Sequence, residues 1–154
     1  MKKRLTKDDI RSLYLKVLDC TDLKPEQLWL SSGSAMVMHG LRVDTADIDS
    51  GCHQEAFNLA RSMLKCQYVP FRKDHAYIPE GTPNLILETA PMDILLEPNV
   101  VPDNLIMVDG VNCYNVYALL AQKTKLNRPK DQQDIQALNY HIHQLKTPRG
   151  IIKW

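Results

Sequence analysis

Ser31–Asp49, SSGSAMVMHGLRVDTADID, constrains this chain more tightly than any other stretch. The short apolar run that leads into it, Leu28–Leu30, reads as a buried strand ending at Gly33-Ser34. Ser34–Gly40 then reads as a short helix that starts at the turn and stops at a glycine. Arg42–Cys52 carries β-branched residues and the alternation Asp47-Ile48-Asp49, the pattern of a strand with two faces. Strand, turn, helix and strand within so short a span commit the chain to a mixed α/β architecture.

The flanking segments agree with that class. Thr6 is an N-cap candidate with Asp8 and Asp9 in the first turn, and Ile10, Leu13, Leu15, Val17 and Leu18 form a helical stripe. His53–Leu64 is helix-like. Cys66–Pro79 and Asn84–Pro98 read as strands separated by the turn PEGTPN. A short apolar stretch, Asn104–Val108, precedes a turn at Asp109-Gly110, and the tail from Val116 reads as helix, break at Arg128-Pro129, helix. The expectation is a single α/β (α+β) domain over residues 1–154: a small mixed sheet with helices packed on it, a core over about 1–100 and a short helical tail over about 110–150.

Composition narrows the function classes. The 44% hydrophobic and 24% charged content is that of a soluble globular protein, and a net charge of +1 carries no bulk attraction for nucleic acid, although a local basic cleft stays open. The basic N-terminus is not followed by an apolar run of signal-peptide length, and no segment approaches the ~20 apolar residues of a membrane helix. Cys20, Cys52, Cys66 and Cys113 lack CxxC spacing and suit reduced thiols, so a cytoplasmic location with neither zinc nor membrane partner is expected.

Chemistry concentrates on three aspartates. Residues i and i+2 of a strand share a face, so Asp47 and Asp49 are expected side by side. Hard carboxylate oxygens favour Mg2+, which takes one or two carboxylates and completes its shell with substrate phosphates. Asp93, between Met92 and Ile94 in an apolar strand, is a candidate third ligand; the plainer reading is a structural acid. At Gly33-Ser34 the backbone can approach a phosphate closely, with the Ser34 hydroxyl as an added donor, although Ser34 also suits plain helix capping. Arg42 either pairs with an acid or contacts phosphate. Asp44 lacks an acidic partner at i+2, where Ala46 stands.

Gly33-Ser34, Asp47-Ile48-Asp49 and the later Asp93 together resemble the nucleotidyltransferase superfamily with the DNA polymerase β-like core. HGLRVDTADID and LLAQKTKLNRPKDQQDIQAL, with Lys123, Arg128, Asp131 and Asp134, are similar to its small AbiEii-like group. The matched motifs span Leu28 to Leu138. The resemblance implies transfer of a nucleoside monophosphate from an NTP, with Mg2+ (or Mn2+) held by Asp47, Asp49 and Asp93. The acceptor stays open among a tRNA end, a protein hydroxyl, a small molecule and another nucleotide. It also turns Lys123 toward the triphosphate, while Arg128 either joins the nucleotide site or ties the last helices to the core through Asp131 or Asp134. With that division, Lys123→Ala is expected to spare the fold. The rival reading is a catalytically inactive nucleotide- or protein-binding module, antitoxin-like in role. SGCHQ after the acidic pair departs from the apolar strand usual in the family.

Overall fold

Thr6 closes a capping box with Asp9, satisfying orphan N–H groups at the start of α1 (Lys7–Thr21). The apolar stripe of that helix buries Ile10 and Tyr14 completely, and full burial of one such side chain contributes about 1.5–3 kcal/mol. The computed structural model describes residues 3–70 and 82–146. After α1 come β1 (Trp29–Ser31), α2 (Ser32–Met38), β2 (Ile48–Cys52), α3 (Gln54–Met63), β3 (Cys66–Val69), β4 (Asn84–Leu87), β5 (Met92–Leu96), β6 (Leu105–Val108), β7 (Val111–Tyr114), α4 (Val116–Leu126) and α5 (Gln132–Lys146).

The strands form one mixed sheet in the order β3-β4-β5-β2-β1-β7-β6. β2 runs parallel to β5 and β1 parallel to β7; the other pairs are antiparallel. Register separates two faces. Leu85, Ile94, Ser50, Leu30 and Cys113 lie abreast across five strands and are all buried, a continuous floor for the core. α2 and α3 pack on the sheet, and α1 packs on both of them. On the other face Ile86, Asp93, Asp49 and Ser31 lie abreast.

Two readings need amendment, and a third falls largely outside the described residues. Asn84–Pro98 is two antiparallel strands rather than one, because Glu88–Pro91 turns the chain and Pro91 has no N–H for a ladder. Beyond Asp109-Gly110 the chain returns as β7, a strand that the polar Asn112 disguised. The positive φ angles of Asp109 (50°) and Gly110 (81°) make the connection a two-residue hairpin of the type that matches strand twist. Of the strand expected over Cys66–Pro79, only Cys66–Val69 is seen as strand; residues 71–81, and with them most of the expected PEGTPN turn, lie outside the described residues.

Candidate active site

A cleft of about 650 Å³ opens where β2, β5, the turn into α2 and the last two helices meet. Gly33, Arg42, Asp47, Asp49, Asp93, Lys123 and Arg128, residues from five separate segments, all line it. Asp49 and Asp93 stand directly opposite each other on adjacent parallel strands. Asp47 differs from its expected place: β2 begins at Ile48, so Asp47 sits exposed at the mouth of the strand, whereas Asp49 is half-buried inside it. Among the described residues no group of three or more His, Cys, Asp or Glu side chains is drawn together as a metal cage.

The turn into α2 divides its work differently from the sequence expectation. Ser34 is fully buried and does not line the cleft; its hydroxyl donates to the carbonyls of Ser31 (2.9 Å) and Asp49 (3.2 Å). Its hydroxyl thus ties the turn to β2. Ser32 takes the cleft position instead, with φ +50°, a left-handed conformation unusual for a residue with a Cβ. Its N–H donates to Gln122 Oε1 (3.0 Å) and its Oγ accepts from Lys123 Nζ (3.3 Å). Gly33 is needed for space: a Cβ there would lie 2.7 Å from Thr45 Oγ1 and 2.9 Å from Arg42 Nη1.

The cations of the cleft come with counter-ions. Lys123 is buried, its Nζ 3.1 Å from Asp134 and 3.4 Å from Asp131. Arg128 grips Asp131 through Nε (2.7 Å) and Nη2 (3.0 Å), and its backbone N–H donates to the same carboxylate. Arg42 lies 3.7 Å from Asp134. Burial pushes the Asp131 carboxyl up, but the hydrogen bonds from Arg128 and the Lys123 charge outweigh it and hold the group below its usual range. Arg128 closes the short turn between α4 and α5 through Asp131, a local contact three residues on, whereas Asp134 serves Lys123 and Arg42. Lys123 is no solvated helix face. Because it holds two carboxylates, Lys123→Ala is predicted to cost fold stability, against the expectation above.

A second polar cluster lies farther along the same strands, outside the residues that line the cleft. Glu97, just past β5, accepts from Trp29 Nε1 (2.9 Å) and Tyr114 Oη (2.5 Å), and its carboxylate fills the space that a side chain at Gly51 would need. Burial raises its pKa despite those donors. Sequence reasoning missed Glu97, Ser32, Thr45 and Arg4, since nothing in their local pattern marks them. Asp44 was noticed only for lacking a partner at i+2; its partner, Arg4, is forty positions away.

No protein-family model matches the chain, and no curated protein matches its sequence. Solved structures do. TM1012 of Thermotoga maritima, named provisionally as a nucleotidyltransferase, superposes with a TM-score of 0.60 at 12% identity, covering 91% of this chain and 96% of that one. The chain has a nucleotidyltransferase-like fold. JHP933 of Helicobacter pylori superposes at 0.53 with 13% identity over 90% of this chain and 68% of its own. A second H. pylori structure, also named provisionally as a nucleotidyltransferase, gives 0.54 with 13% identity over the same shares. At such identities the likeness is one of nucleotidyltransferase-like fold. Among the described residues no helix is long and apolar enough to cross a membrane.

Proposed function

We propose that the chain is a metal-dependent nucleotidyltransferase of the small AbiEii-like group, moving a nucleoside monophosphate from an NTP to an acceptor hydroxyl or phosphate. The observation that carries this reading is the register of Asp49 against Asp93 on adjacent parallel strands, in a cleft that also holds Arg42, Lys123 and Arg128. Two hard carboxylates presented together, with Asp47 at the strand mouth, are the donor set that Mg2+ or Mn2+ takes when substrate phosphates complete its shell. Asp47, Asp49 and Asp93 would hold the ion, which when bound supplies charge neutralisation and orientation at the phosphates.

The side chains divide the remaining work. Arg42, Lys123 and Arg128 bring positive charge to the same cleft, where a triphosphate would lie. Asp131 and Asp134 fix the positions of these cations before substrate arrives. Asp93 accepts the proton of the acceptor hydroxyl as its oxygen forms a bond to the α-phosphorus. The bond from that phosphorus to the bridging oxygen breaks, and pyrophosphate leaves with the electron pair. Electrostatic positioning of this kind supplies most of the catalysis in phosphoryl transfer.

A second reading keeps nucleotide or protein binding without transfer. Its support is the engagement of Lys123 by both Asp131 and Asp134, which a catalytic cation would have to loosen. Incubating the protein with each α-labelled NTP, Mg2+ and a cell extract separates the two. Label should pass to an acceptor with the wild type and fall by at least a hundredfold with Asp49→Asn or Asp93→Asn while both variants stay folded. Equal labelling by wild type and either variant would refute the carboxylate assignment.

A further inference from the structure

Between Gly40 and Asp47 the chain runs without regular structure beyond one isolated bridge, yet it delivers Arg42, Asp44, Thr45 and Asp47 to the cleft. That bridge pairs Thr45 with Leu5: Leu5 N–H donates to Thr45 O (2.7 Å) and Thr45 N–H to Leu5 O (3.0 Å). Next to it, Arg4 places Nε (3.1 Å) and Nη2 (2.9 Å) on Asp44 Oδ1. Leu5 is buried in the core, and the capping box at Thr6 joins it directly to α1. On its inner side Thr45 packs against Gly33. The loop is therefore gripped between the turn into α2 and the N-terminal segment, two residues before Asp47 and four before Asp49.

We propose that the N-terminal segment Arg4–Thr6 is a clasp on the site loop, and that Arg4 is a positioning residue for the cleft, acting through Asp44. This rests on the nucleotidyltransferase reading for what the cleft binds, but the clasp itself does not. Two physical consequences follow. Arg4 and Asp44 are about half and a third exposed, so their ion pair adds little to global stability and its effect is local. With Arg4 across from it, Asp44 is neutralised on the cleft wall, which leaves Asp47 as the acid at the strand mouth able to receive a cation. The pair thus reinforces in space a difference between two acids three residues apart: Asp44 is held by Arg4, and Asp47 stands two residues before Asp49.

The test compares wild type, Arg4→Ala, Asp44→Ala and the exchanged pair Arg4→Asp/Asp44→Arg. Hydrogen exchange of the backbone from Leu41 to Asp47 is measured without any ligand, and affinity for Mn2+ with ATP is measured by titration. Arg4→Ala and Asp44→Ala should each speed exchange in that loop about tenfold and weaken Mn2+·ATP five- to tenfold. The melting temperature should move by no more than a degree or two, and the exchanged pair should recover both losses to within about threefold. Unchanged exchange in Arg4→Ala would overturn the clasp, whatever the cleft binds. Affinity lost in Arg4→Ala and still lost in the exchanged pair, with loop protection restored, would overturn the positioning role and make Arg4 a ligand contact. A wild type that binds no Mn2+·ATP would instead overturn the nucleotidyltransferase reading, and the exchange data would still decide the clasp.

Discussion

Taking away the Lys123 ammonium would leave Asp131 and Asp134 facing each other across buried space, with Arg128 and a distant Arg42 as their remaining cations. Breaking a buried pair from one side typically costs roughly 3–5 kcal/mol. Lys123→Ala should therefore lower stability in urea by about that much as well as weaken nucleotide binding. Arg128→Ala should cost less, about 1.5–3 kcal/mol, since Lys123 still faces Asp131. Urea curves showing Lys123→Ala as stable as wild type would mean that the lysine is poised for ligand rather than for fold. Glu97 gives a pH signature. Burial raises its folded pKa above the usual 4.5, so its contribution is complete below that value. The contribution is lost as pH rises from 4.5 through the raised value, because only the unfolded chain ionises there. Glu97→Gln mimics the protonated acid. Its melting temperature should match the wild type near pH 4.5 and exceed it at pH 7; parallel pH profiles would contradict the assignment.

At the scale of elements, the β6–β7 hairpin depends on its two-residue turn. A Cβ at Gly110 would meet nothing within 4 Å, so the cost of Gly110→Ala is backbone strain at φ 81° alone. That strain is about 1–2 kcal/mol, and denaturant midpoints should fall accordingly with an unchanged slope. An unaltered midpoint would show that the hairpin has another conformation open to it. Asp109 does more than turn the chain: its carboxylate pairs with Lys7 and its carbonyl accepts from Arg11, fastening the hairpin tip to α1. The Asp-Gly turn was legible because its chemistry is local. β7 was not, because it is only four residues long and its polar Asn112 is buried with the rest, so the local pattern does not mark a buried strand.

For the whole molecule, ligand linkage is the direct measure of the cleft. Whatever binds only the folded state stabilises it by RT ln(1 + [L]/Kd), about 2.7 kcal/mol at a hundred times Kd. ATP or GTP with Mg2+ should raise the melting temperature, and EDTA should cancel the rise. A rise that persists in EDTA would favour the binding module over the enzyme. The mixed sheet makes such coupling natural: β2 and β5 carry Asp49 and Asp93 on one face and the core residues Ser50 and Ile94 on the other, so the site and the core share the same two strands.

The sequence by itself determined the class of fold and the strand–turn–helix–strand order around Gly33, since these follow from periodicity and spacing. It marked Asp47, Asp49 and Asp93 as candidates while leaving Arg42, Lys123 and Arg128 with two roles each; all six line one cleft. Only the tertiary structure decided that Asp49 faces Asp93, that Ser34 turns inward while Ser32 faces the cleft, and that Lys123 is held by two carboxylates. Those are choices of register and rotamer. They depend on which strand lies beside which, and on burial that makes an unpaired charge costly, and neither quantity exists until the chain has closed on itself.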